Sequence, residues 1–122
     1  MSLILQLKEL VALTEMVFQQ EQSKMAALAR READLRDLIG QVTSHGRTNS
    51  ALATEDIAAS ALRNERWQIW AEQRKVALNR ELARVLAMED AQKTPLAAAF
   101  GKHHAMLELL KTVQSAGKKS GH

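Results

Sequence analysis

The sequence predicts an all-α protein: a long antiparallel two-helix coiled-coil hairpin with a third helical segment after Pro95. Three observations predict it. A seam repeats every seven residues through the first third of the chain, at Ile4, Leu7, Val11, Thr14, Phe18, Glu21, Met25, Leu28, Glu32, Leu35, Ile39 and Val42. Nine of these twelve positions are apolar and their spacings alternate between three and four, which is a coiled-coil register. The composition, rich in Ala, Leu, Glu, Lys, Arg and Gln with 3% aromatics, supports long helices and gives β-structure little help. Finally, a single polar, turn-rich stretch interrupts the helical pattern: Ser44-His45-Gly46-Arg47-Thr48-Asn49-Ser50.

The expected elements follow in order. The first helix spans about residues 3–43, with Gly40 near its end and Gly46 just past it, where a left-handed cap is favoured. A loop covers about residues 44–53. The second helix spans about 54–93. Thr54 can cap it, and Glu55 and Asp56 put negative charge in its first turn. Ser50 is the alternative start. Two amphipathic helices of matching length joined by a short loop argue for an antiparallel hairpin. In a hairpin turning near residues 47–49, the seam carboxylate Glu32 faces Arg63 and Glu21 faces Arg74, and these pairs would fix the register. The alternative is that both carboxylates reach solvent at an open seam.

The second helix has a poorer stripe, at Ile57, Trp67, Ala71, Leu78, Val85 and Met88, with Leu82 requiring a shift of phase. Thr94-Pro95 then suits the start of a new helix, since proline fits the first turn and not the interior. That helix spans about 95–113. Its wide apolar face carries Leu96, Ala99, Phe100, Met106, Leu107, Leu110 and Val113. Leu3, Leu10, Leu13 and Val17 add a second stripe to the first helix, and two stripes call for two neighbours. The third segment is either folded back as a three-helix base or a kinked continuation of the second helix. Residues 1–115 thus form one helical-hairpin domain, and 116–122 a disordered basic tail.

The net charge is +3. Before Pro95, 13 Lys+Arg balance 13 Asp+Glu, so the excess comes from the end of the chain, where Lys102, Lys111, Lys118 and Lys119 face only Glu108. Nucleic-acid binders concentrate basic charge on one face, which makes nucleic acid an unfavoured partner. The chain has no Cys, which excludes disulfides and thiolate chemistry and suits a reducing cytoplasm. No apolar run reaches the roughly 20 residues that span a bilayer, and no signal peptide is evident, so membrane insertion is not expected.

Neither a phosphate-binding glycine loop nor a nucleophile elbow is present. His103 and His104 are adjacent and point about 100° apart on a helix, so they do not form a metal site together. His45 and His122 fall in the loop and the tail. No enzyme activity, cofactor or metal is therefore expected. The unusual segment is Arg63 to Lys75, which holds both tryptophans, Trp67 and Trp70, three apart, with Arg66 and Arg74 beside them. Trp and Arg are favoured at interface hot spots, which makes Arg66, Trp67, Trp70 and Arg74 the candidate partner-binding residues. The competing role for the tryptophans is packing against Ala26, Ala27 and Arg30 of the first helix.

In this layout, and in Arg66-Trp67 followed by Trp70, the chain resembles the FliJ/YscO-type stalk proteins of flagellar and virulence type III export. At the next positions of the family pattern, an aromatic and a Leu, this chain has Gln73 and Ala77. The resemblance implies a cytoplasmic stalk inserted in a ring-shaped export ATPase, coupling it to the export gate and escorting substrate chaperones. Two further readings are a small helical export chaperone similar to FlgN, and a coiled coil that associates with itself.

Overall fold

The computed structural model describes residues 2–52 and 57–120, and its elements are two long helices, α1 (Ser2–Leu52) and α2 (Ile57–Ser120). No described residue belongs to a strand. Helix formers fill both elements, and the less favourable threonines are accommodated by donating to the preceding turn. The hydroxyls of Thr14, Thr43 and Thr112 donate to the carbonyls of Leu10, Ile39 and Glu108 at 2.9, 3.0 and 2.9 Å. Ion pairs one turn apart, such as Lys24–Glu21 at 3.1 Å and Arg36–Glu32 at 2.9 Å, lie on neighbouring positions of one helix and give it modest, salt-dependent support.

The heptad seam of α1 is the face that packs. From Ser2 to Val42, all twelve seam residues are buried or half-buried, and Leu38 is the one other residue that is not exposed. On α2 the least exposed positions also recur at threes and fours, from Ser60 to Val113. Two successive steps of four, Trp67 to Ala71 to Lys75, supply the change of phase that Leu82 requires, and Leu82 is buried. Ile57 and Met88, expected in this stripe, are exposed instead. Polar residues hold many of its places: Asn64, Lys75, Glu89, Gln92 and His103 are all half-buried.

The chain divides into two compact units, Met1–Ala27 with Glu89–His122 and Leu28–Met88. Within each, α1 meets α2 in the antiparallel sense. In the first unit Thr14 meets His103, Phe18 meets Phe100 and Glu21 meets Gln92, so one number rises as the other falls. In the second unit the core joins Leu35 and Val42 of α1 to Ala71, Leu78, Leu82 and Val85 of α2, with Leu28, Leu38, Ile39 and Trp67 packed against it.

Three boundaries differ from the sequence expectation. Helix α1 continues to Leu52, through the stretch expected to be a loop. Its Ser, Thr, Asn and Gly residues cost up to about 1 kcal/mol each in a helix but, lacking proline, they do not forbid one. The expected capping residues Thr54, Glu55 and Asp56 lie outside the described residues. Helix α2 runs unbroken through Pro95, so of the two arrangements expected for the segment after it, the structure has the continuation of the second helix and not the fold-back. Pro95 is exposed while Gln92, Leu96 and Ala99 occupy the packed face, so its ring points away from the seam. Of the expected disordered tail, residues 116–120 belong to α2, and 121–122 lie outside the described residues.

Two stability predictions follow from this packing. Leu35, the one large side chain among the described residues with no exposure at all, should lose about 3 kcal/mol on truncation to alanine in chemical denaturation. A loss under about 1 kcal/mol would contradict its place in the core. Pro95→Ala restores a backbone donor to the Ala91 carbonyl and relieves the ring clash, so it should stabilise the protein by about 1–3 kcal/mol. A neutral or destabilising result would mean that Pro95 begins a helix.

Candidate functional site

The expected partner-binding segment lies on α2 within the second unit. Trp67 and Trp70 are neighbours, with ring centroids 6.2 Å apart and planes tilted by 53°. Trp67 is half-buried against the core, whereas Trp70 is 53% exposed. Both line an open groove of about 350 Å³ with Leu38, Gln41, Val42 and His45 of α1 and Arg74 and Leu78 of α2. Ala26, Ala27 and Arg30, the packing partners expected for the tryptophans, do not line this groove, whereas Leu38, Val42 and His45 do. Arg74 belongs to the groove. Arg66 is exposed and does not line it.

The cross-helix polar pairs are not the expected ones. Glu21 is engaged by Gln92, whose Nε2 donates to its carboxylate and, at 3.3 Å, to its backbone carbonyl. Glu32 accepts from Arg36 on its own helix at 2.9 Å. Arg31, the neighbour of Glu32, pairs across the helices with Glu81. Arg74 and Arg63 are therefore not the partners: Glu21 meets Gln92, eighteen residues further along α2 (74 to 92), and Arg31 meets Glu81, seventeen beyond position 64, which the expected register sets opposite it. The cause is the longer α1. Helix that persists to Leu52 moves the reversal of the chain past residues 47–49 and carries each partner with it. Arg63 is exposed.

The carboxyl of Glu21 is shifted on folding. The hydrogen bond from Gln92, and next that from Lys24, hold its carboxyl below the usual value near 4.5. A carboxyl lowered on folding adds stability above its unfolded pKa and loses it as the pH falls through the folded one. The advantage of wild type over Glu21→Gln should therefore be present at neutral pH and disappear on acidification below about pH 4.5. Thermal melts of both proteins across that range check this, and a difference that is independent of pH would contradict it.

A second cluster lies in the first unit. Phe18 and Phe100 approach to 5.5 Å, His103 stacks on Phe18 at 6.1 Å, and His104 stacks on Phe100 at 5.9 Å. Thr14 Oγ1 and His103 Nδ1 are 3.1 Å apart. The two histidines are thus used in packing on different rings. Among the described residues no group of three or more His, Asp or Glu side chains could hold a metal ion. No helix among them is long and apolar enough to cross a membrane.

A second groove, of about 430 Å³, escaped the reading of the sequence. Leu28, Ala77, Val85 and Met88 form its apolar part, and Arg31, Arg80, Glu81 and Arg84 its charged part. The spacing of Arg80 and Arg84 was visible as one helical face, but only the register brings Arg31 beside them. No family model, curated protein or solved structure matches the chain.

Proposed function

We propose that the chain is a non-enzymatic interaction protein, an antiparallel coiled-coil hairpin that serves as a stalk or adaptor of the FliJ/YscO type. In that role it links an export ATPase ring to the export gate and to substrate chaperones in the cytoplasm. The observation that carries the interaction reading is the balance of apolar side chains. Eight hydrophobic residues are buried among those described, while fifteen large ones remain exposed, including Trp70, Phe100, Ile69 and Met88. Contiguous apolar surface marks docking sites, and Trp70 adjoins such surface where it lines a groove with Trp67, Leu38, Val42 and Leu78. The FliJ/YscO assignment itself rests on Arg66-Trp67 followed by Trp70 and on the pairing of two long helices.

Self-association is the second reading. It is favoured by Leu3, Leu10, Leu13 and Val17, which are 45–57% exposed along one side of α1. A FlgN-like chaperone would use the same stripe to hold a client.

The test is purification of the tagged chain from its source cell, with bound proteins identified by mass spectrometry. The adaptor reading expects a ring ATPase or export-gate component, and about a tenfold or greater loss of it with Trp70→Ala, the truncation of an interface hot spot. Recovery of the chain alone, as a dimer, would overturn the adaptor reading in favour of self-association.

A further inference from the structure

The two grooves of the second unit form one side of the helix pair. On α2, Trp70, Ala77 and Arg84 are seven apart, as are Trp67, Arg74, Glu81 and Met88. On α1, Arg31, Leu38 and His45 have the same spacing. Positions seven apart lie on one helical face, so the grooves succeed one another over about 30 Å from Trp67 to Met88. A third helix laid beside two paired helices needs a strip of this kind, with apolar floor and polar rim.

The charge on this strip departs from the rest of the unit. Residues 28–88 carry ten Lys+Arg and eight Asp+Glu. Four of the arginines line the grooves against one carboxylate, Glu81. Arg31 already engages Glu81. Arg74, Arg80 and Arg84 have no ion-pair partner among the described residues and are exposed. Guanidinium groups bind carboxylates by paired, directional hydrogen bonds, so three such groups beside apolar floor select a matching anionic rim.

We propose that the strip formed by the Trp67/Trp70 and Arg31/Arg80/Arg84 grooves docks an amphipathic helix of a partner protein that carries an apolar stripe flanked by Asp or Glu. The proposal rests on the interaction reading above and adds the chemistry of the partner. Trp70, Leu38 and Met88 receive the apolar stripe. Arg74, Arg80 and Arg84 receive the carboxylates.

The test uses the full chain and two fluorescent helical peptides of about 20 residues, long enough to cover the strip. Both carry the same leucine stripe, flanked in one by glutamates and in the other by lysines. Anisotropy should show binding of the glutamate peptide alone, weakened by added salt. The double substitution Arg80→Ala/Arg84→Ala removes two exposed ion pairs and should weaken it by up to about tenfold with the melting temperature unchanged. The charge-reversed Arg80→Glu/Arg84→Glu protein should turn to the lysine peptide. Equal binding of both peptides, no binding of the glutamate peptide, or indifference to the arginine substitutions would overturn the proposal. A dimer in ultracentrifugation that dissociates on Arg80→Ala/Arg84→Ala would overturn it too, by making a second copy the occupant. If the glutamate peptide fails while Trp70→Ala still releases a cellular partner, the acidic helix falls and the adaptor reading stands. If the peptide binds and no partner is recovered, the surface chemistry stands and the adaptor reading falls.

Discussion

The register between α1 and α2 is the constraint on which the other features depend. With so few buried side chains, hydrophobic contact alone selects weakly among alignments that differ by whole helical turns, because each keeps an apolar face inward. Polar seam residues discriminate, since a misplaced one is left desolvated without a partner. Glu21 with Gln92 in the first unit is such a pair, whereas Arg31 with Glu81 in the second is solvent-exposed and follows the alignment more than it sets it.

The seam of α1 was legible in the sequence because it is almost wholly apolar, and all twelve of its residues are the less exposed ones. The seam of α2 was legible only in part. Trp67, Ala71, Leu78 and Val85 could be read, whereas Lys75, Glu89, Gln92 and His103 look like surface residues to any test based on hydrophobicity. The Ser44–Ser50 stretch misled, and Pro95 left two arrangements open, for a common reason. Both are local signals of a helix end, worth about 1–3 kcal/mol per residue, and packing along a long helix exceeds that. The candidate site followed suit. Trp67, Trp70 and Arg74 do share a groove, but their neighbours on α1 could not be named without the true alignment, and the Arg31/Arg80/Arg84 groove was hidden for the same cause.

Alignment therefore links the sequence to function. It places Leu38 and His45 beside the tryptophans, and it sets Arg31 against Glu81, leaving Arg80 and Arg84 to face outward on the same side. A protein whose charge is balanced before Pro95 acquires in this way a local cationic strip over apolar floor. Such a strip gives directed recognition where an evenly mixed surface would give none. The aromatic cluster of the first unit, Phe18, Phe100, His103 and His104, packs in place of a larger aliphatic core there.

The absence of cysteine permits a direct test of the alignment. Cysteines would be placed at positions 31 and 81 in one protein and at 32 and 63 in another, and each treated in dilute solution with a short bis-maleimide. The account predicts rapid intramolecular cross-linking of 31 with 81 and none of 32 with 63, whose partner positions are separated by eighteen residues, or about 27 Å of helix. Efficient cross-linking of 32 with 63, and failure of 31 with 81, would contradict it and restore a hairpin that turns near residues 47–49.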